Sequence, residues 1–382
     1  MTGERSLLAR VRPAAIGLLI VAALAQCVLF VLLPFSGYDG PFHLFHITEL
    51  HQLASTSGLW LPHWLPDAFR GFGSPALTFY APLSYLITTA CYGLFAGLSA
   101  AAIAKLAGLV TLALSGVTMA QYLRRGLRLD LRASALGALL YMAAPYRYFD
   151  LSTRAAFSEH VAFLFLPLVL LGAEWMLREE ELGVRHARTQ RAMGTLLYTL
   201  SFALMAITSL PATVTVSLGL LMMLLTRSRV IAGMLRLGGA TLLATLLAAF
   251  YILPAFALSH DVQLERLWTL PTVIQCSPFL GLFWGQDLVT SSYNLLGFVG
   301  IVVAFVALGR GHGRQERAWR WMLLVVIILF MPYISQWLFY GVPPFTVIQR
   351  AERLTMLGVF VVSALWAREL AGEAMDRTRP WA

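Results

Sequence analysis

The sequence predicts an all-α polytopic membrane protein, with about ten transmembrane helices plus one non-crossing interfacial helix. Composition, run length and arginine placement carry this reading. Of 382 residues, 59% are hydrophobic and only 12% are charged, against roughly 25% charged in a soluble protein. The apolar residues come in runs close to the roughly 20 that a helix needs to cross a hydrocarbon core. The candidate spans are 14–34, 100–123, 134–149, 160–177, 192–208, 211–226, 233–257, 293–309, 320–339 and 351–367.

Most of the 28 basic residues sit in short blocks between these runs. The blocks centre on Arg5–Arg12, Arg124–Arg132, Arg178–Arg191, Arg227–Arg236, Arg310–Arg320 and Arg368–Arg379. Loops of this kind face the cytoplasm. All six blocks fall on one side only if the apolar stretch 76–98 makes no net crossing. That stretch is interrupted by Pro82 and carries Tyr80, Tyr85 and Tyr92, as suits an interfacial or re-entrant helix. Both termini are then cytoplasmic, in a bacterial inner membrane.

The net charge of +9 therefore reflects topology and gives no nucleic-acid surface. Cys27, Cys91 and Cys276 have no CxxC spacing and form neither a metal cluster nor a disulfide framework. The run from Pro13 to Pro34 has no small-x-small cleavage site and is long enough to span, so it reads as a retained first helix.

The unusual polar residues gather on the other side. The loop 35–99 opens with Gly37-Tyr38-Asp39-Gly40-Pro41-Phe42-His43 and continues to His46. Asp39 stands at a helix N-cap with Pro41 in the first turn. Spacings of four and three place Asp39, His43 and His46 on one helical face. Such a set suits a general base or a metal site, and a divalent metal on Asp39 and His43 is compatible with it. Equally, Asp39 would only cap the helix and the histidines would sit wet at the interface. The tract from Leu61 to Tyr85 is rich in aromatic and turn residues, among them Tyr80, and serves either as membrane anchor or as a sugar-stacking face.

A second loop, 146–160, carries Tyr146, Arg147, Tyr148, Asp150, Arg154, Glu159 and His160. Ionisable groups at membrane depth are costly and default to functional candidates; an internal Arg154–Glu159 pair is the plainer alternative. The segment 258–292 carries His260, Asp261, Glu265, Arg266 and Asp287, and 340–352 carries Gln349, Arg350 and Glu352. Arg350 and Arg353 run against the positive-inside tendency. A phosphate bound bidentately would account for them, as would pairing with Glu352 or lipid headgroups. Lys105, the lone lysine, reads as a snorkelling cation.

The stretches GYDGPFHLFH, LPHWLPDAFRGFGSPALTFYAPLSYL and APYRYFDLSTRAAFSEHVAFLFLPLVLLG, with the late IQRAER, resemble the bacterial family labelled 6-pyruvoyl-tetrahydropterin synthase-related membrane protein. That family is similar to the GT-C glycosyltransferases, which take sugars from polyprenyl-phosphate carriers on the external face. The resemblance implies that Asp39 is a base or metal ligand, that Glu159 (or Asp150) is the second acidic residue, and that Arg350 and Arg353 hold the carrier phosphate. No DxD-type pair is visible, and the aromatic usual within the Gln-and-Arg motif is replaced.

The reading that follows is a GT-C-like N-terminal membrane module over 1–180, with C-terminal transmembrane helices over 181–382 and no separate soluble domain. Asp39 and Glu159 are the expected catalytic residues. His43, His46, Tyr80, Tyr146, Arg154, Arg350 and Arg353 are the expected substrate contacts. The expected partners are membrane lipid and a polyprenyl-phosphate-linked sugar donor. A lipid or polysaccharide transporter or flippase, or an inactive assembly scaffold, is the alternative.

Overall fold

The computed structural model describes residues 37–95, 97–178, 184–261, 314–331 and 350–377 continuously, with single positions between 21 and 35, 300 and 305, and 334 and 348. Among these residues the regular structure is helical, apart from one isolated antiparallel bridge between Leu65 and Ser74. The main helices are α1 (Gly40–Ser57), α2 (Leu83–Leu94), α3 (Ala100–Gln121), α4 (Leu131–Met142), α5 (Phe157–Leu177), α6 (Val184–Ala206), α7 (Leu210–Leu225), α8 (Val230–Leu247), α9 (Ala249–Ala257), α10 (Arg314–Leu329) and α11 (Thr355–Arg377).

Among the described residues, four helical stretches are long and apolar enough to cross a membrane: Ala100–Gly126, Phe157–Leu177, Val230–Leu247 and Ala351–Ala371. Their burial orders the bundle. Within its most apolar window α5 is 83% buried and α8 only 22%, so α5 is the central pillar and α8 a peripheral helix with a lipid-facing surface. Against α5 lies α6, close enough that a Cβ on Gly172 would stand 2.6 Å from the Tyr198 amide nitrogen. Small residues permit such backbone approach where no hydrophobic effect drives helices together in lipid.

At twelve residues, α2 is about 18 Å long, too short for a core of about 30 Å. It is pinned rather than spanning: Leu83 N–H donates to Ile207 O at 2.9 Å, and Ser84 and Ser158 hydroxyls meet at 2.7 Å. The arginine-bearing ends behave accordingly. Arg178 donates to Gly126 O at 3.0 Å, Arg227 pairs with Glu174 at 2.6 Å, Arg236 donates to Met176 O at 3.5 Å and Arg368 pairs with Glu316. Gln315 donates to Tyr122 OH at 3.2 Å and closes the set. The described arginine blocks therefore meet at one end of the bundle, as they do only when 76–98 makes no net crossing.

The expected span 134–149 stops at Met142. Pro145 has no N–H and disfavours helical backbone before it, so Ala144 is extended at φ −60°, ψ 134°. The chain then forms a short turn, Pro145–Tyr148, and a π-helical turn, Phe149–Thr153. The expected span 233–257 is two helices joined at Ala248. Pro254 removes the bond that the Phe250 carbonyl would accept, which loosens the helix at that level. Most of 14–34 and 293–309 lies outside the described residues, as do Pro343, Pro344, Gln349 and the segment 262–292. Lys105 reaches across to Val31 O at 2.7 Å.

Candidate functional site

At the end of the bundle opposite the arginine-rich ends, the chain entering α1 is docked on the chain entering α5. Tyr38 N–H donates to Thr153 O at 3.2 Å and Asp39 N–H donates to Arg154 O at 2.9 Å. The approach requires Gly37, because a Cβ there would lie 2.6 Å from Thr153 O and 2.7 Å from Ser152 O. Ala155 takes the left-handed conformation, φ 54°, to turn the chain into α5. A non-glycine residue there is strained, and such strain concentrates at functional sites.

Asp39 occupies the N-cap position of α1, but its side chain makes no capping bond and its backbone is helical, φ −95°, ψ 0°. The residue is exposed. Capping therefore does not account for its carboxylate. His43 and His46 are 3% and 2% exposed, so they are not the wet interfacial imidazoles of the plainer alternative. His43 Nδ1 lies 2.8 Å from Tyr85 OH, and His46 Nδ1–H donates to Phe42 O at 2.7 Å. Burial, with His46 and Arg154 nearby, pushes the His43 imidazole down to about 3. The Phe42 ring packs between His46, 3.9 Å away, and Tyr80, 4.5 Å away. Both histidines are thus buried supports for α1. Among the described residues, no three His, Cys, Asp or Glu side chains converge as metal ligands.

The segment 146–160 is not an external loop. Tyr146, Arg147, Asp150, Arg154, Glu159 and His160 are all nearly inaccessible to solvent. Helical and π-helical turns carry the chain inward, and buried charges force ion pairing. At the centre stands Arg154. Its Nη1 lies 3.1 Å from both Asp150 Oδ1 and Glu159 Oε2 and 3.3 Å from Tyr146 OH, while its Nε lies 3.3 Å from Glu352 Oε1. Tyr146 OH donates to Glu159 Oε1 at 2.5 Å. Arg353 Nε lies 3.2 Å from Glu159 Oε2 and Arg350 Nη1 lies 3.5 Å from Glu352 Oε1. Within this linked network Arg154, Arg350 and Arg353 balance Asp150, Glu159 and Glu352, which is how so much charge is accommodated out of water.

The structure thus brings Asp39, Tyr146, Arg154, Glu159, Arg350 and Arg353 to one region. Arg154 and Tyr146 are enclosed within the ion network, whereas the Arg350 side chain is 39% exposed and that of Arg353 16%. Tyr80, 43% exposed, is near enough to both Asp39 and Arg353 to feel their charges. Glu352, expected as a pairing alternative for the two arginines, does pair with Arg350 and pairs also with Arg154. Tyr85 and Gly37 were missed because only tertiary contacts give them their roles.

The class defined by this architecture is an all-α, polytopic membrane protein. No protein-family model matches the sequence, and no curated protein matches it. Among solved structures, the chain is similar to the apo oligosaccharyltransferase of Archaeoglobus fulgidus, with TM-score 0.55 and 12% identity over 96% of this chain and 52% of that one. The chain thus spans about half the length of that enzyme. ArnT from Cupriavidus metallidurans, apo and bound to undecaprenyl phosphate, gives TM-scores of 0.46 at 12% and 15% identity, over 95% and 94% of this chain and 78% of ArnT. At 12% identity the likeness to the oligosaccharyltransferase is one of fold.

Proposed function

We propose that this protein is a GT-C-like glycosyltransferase that moves a sugar from a polyprenyl-phosphate carrier to an acceptor at the external face of a bacterial inner membrane. The observation that carries the reading is an exposed carboxylate, Asp39, whose side chain has no capping role, beside an ion network that presents Arg350 and Arg353 at its rim. In the reaction, an acceptor hydroxyl gives its proton to Asp39 as its oxygen bonds to the anomeric carbon. The bond from that carbon to the phosphate oxygen breaks, and the carrier phosphate leaves with the electron pair. Arg350 and Arg353 stabilise that charge through preorganised donors. Glu159 orients Arg353, and Arg154 holds the network. Tyr80, packed on Phe42, offers an aromatic face to the sugar.

The motif blocks from Gly37 to Gly172 support membership of the 6-pyruvoyl-tetrahydropterin synthase-related membrane family. The gathered arginine ends support placing that end, and both termini, in the cytoplasm. The carrier and donor sugar are expected to enter from the bilayer. A transporter or flippase is favoured by charge held deep in the bundle, Arg147 above all. Purified protein reconstituted with a panel of polyprenyl-phosphate sugars separates the two: transfer of labelled sugar supports the enzyme, and movement of the lipid between leaflets without transfer supports the rival.

A further inference from the structure

Between α1 and α2 the chain forms a closed loop that displays apolar side chains. Leu65 N–H donates to Ser74 O at 2.8 Å, Ser74 N–H donates back to Leu65 O at 2.9 Å, and Gly73 N–H donates to Ala68 O at 2.9 Å. Leu65 and Ala68 are buried, and the buried Glu49 on α1 accepts the Asp67 N–H on Oε1 at 2.7 Å. A base held in this way fixes what the tip presents. At the tip Phe69 and Phe72 are 76% and 85% exposed, with the exposed Arg70 between them in sequence. Phe69 and Arg70 both take the left-handed conformation, at φ 51° and 63°. A bulky aromatic at positive φ is an outlier that costs energy, and the surrounding bonds hold it there.

The apolar display runs on from the tip to the lipid-facing side of the bundle. Trp64, half-exposed, packs on Gly73, where a Cβ would strike its indole. Trp60 and Leu61, also half-exposed, line one groove with Phe250 near the start of α9. Phe250, Leu253 and Phe256 of α9 are exposed in turn, and α9 continues from the peripheral, lipid-facing α8. The height of the loop follows from its bonds. Thr78 hydroxyl donates to His63 O at 3.3 Å, and Tyr251 hydroxyl donates to Phe79 O at 2.9 Å. Leu83 is bound to Ile207, just past the end of α6. Residues 78–83 therefore lie level with the ends of α6 and α8, away from the arginine-rich ends. With 18 residues, α8 is about 27 Å long, close to a hydrocarbon core of about 30 Å. Its end marks the edge of that core.

We propose that the loop from Trp60 to Phe72 inserts into the membrane leaflet at this end of the bundle, with its rings at the headgroup–acyl boundary and Arg70 on a lipid phosphate. Aromatic rings flanking a cation are the composition of that boundary, and a guanidinium matches phosphate geometry. A sugar-binding face sets several polar groups around its rings to fix orientation, whereas the tip, Phe69-Arg70-Gly71-Phe72, offers one polar side chain. Through Glu49 and the Asp67 N–H, the inserted loop would also hold α1, the helix that begins at Asp39, at a set height above the lipid.

The test is spin-label accessibility in phospholipid nanodiscs. Labels are placed one at a time through Phe69→Cys or Phe72→Cys, in a full chain that also carries Cys27→Ser, Cys91→Ser and Cys276→Ser. Both labels should lie roughly 5–10 Å into the boundary, as interfacial apolar faces do, and collide more often with dissolved oxygen than with a water-soluble nickel chelate. Adding Arg70→Glu should shift the Phe72→Cys label back toward the chelate; no shift overturns the phosphate contact. Labels that collide freely with the chelate stand in water and overturn the insertion. Labels shielded from both reagents lie under protein, a second copy or a partner, and overturn it as well. Should the cysteine-replaced chain fail to fold, a cryo-EM map of the wild-type chain in a nanodisc decides: the tip within lipid density supports insertion, and the tip clear of it overturns insertion.

Discussion

Arg154 Nε lies 3.3 Å from Glu352 Oε1, so one buried ion pair joins the entrance to the central helix with the entrance to the last. Both side chains are 2% exposed, and Arg154 also serves Asp150 and Glu159. Arg154→Met leaves these carboxylates buried without their common partner. The expected loss is about 3–5 kcal/mol, the range for breaking a buried pair from one side. Thermal unfolding in detergent reads it, and a melting temperature within error of wild type would remove Arg154 from its central place.

Asp39→Asn should leave the fold intact, because the side chain makes no capping bond and Asn and Asp are near-equal caps in any case. Proton acceptance is lost. Sugar transfer should fall by about a hundredfold or more, as for other general bases, with normal accumulation in the membrane. The glycolipid profile of a strain lacking the protein, complemented with each form, provides the measurement. Full activity in Asp39→Asn rules out the base assignment.

The two rim arginines should separate. Arg350, 39% exposed, should tolerate Arg350→Ala structurally while binding of a polyprenyl phosphate weakens about tenfold, near 1.4 kcal/mol. Arg353 also donates to Ile348 O at 2.9 Å and pairs with Glu159, so Arg353→Ala should lower both binding and melting temperature. Titration of each variant with the carrier phosphate, beside a melting curve, checks this; unchanged affinity in both would move the phosphate site elsewhere.

Gly37→Ala tests the docking of Asp39. The added methyl would meet backbone oxygens at 2.6 and 2.7 Å, so the segment must move off Thr153 and Arg154. We expect a cost of about 1–3 kcal/mol, typical of overpacking, and a loss of transfer out of proportion to it. Wild-type transfer in Gly37→Ala would show that the docking does not position Asp39.

His43 should confer acid sensitivity. Its imidazole is pushed from 6.5 to about 3, so between those values the unfolded chain binds a proton that the folded chain refuses. Its contribution to stability is therefore intact above about pH 6.5 and falls as pH drops toward 3. Melting temperature followed over that window should decline less steeply in His43→Gln than in wild type. Identical slopes would assign the acid loss to other groups.

Hydrophobic run length and arginine spacing are local properties, and transfer of each run into lipid is favourable or not nearly independently of its neighbours. For that reason the sequence by itself determined the all-α membrane class, the helical character of the apolar runs and the absence of a net crossing at 76–98. It also singled out Asp39, Glu159, Arg350 and Arg353. Whether a charge meets water or another charge depends on backbone packing between distant segments, and that only the tertiary structure decided. Pro145 ends a helix early, the π-helical turn carries Asp150 and Arg154 inward, and Arg154 finds Glu352 from the far end of the chain. The same packing buries His43 and His46 of α1 and leaves Asp39 exposed, a difference that helical spacing does not carry. A period of 3.6 residues fixes the direction of a side chain around its own helix, but not what stands opposite.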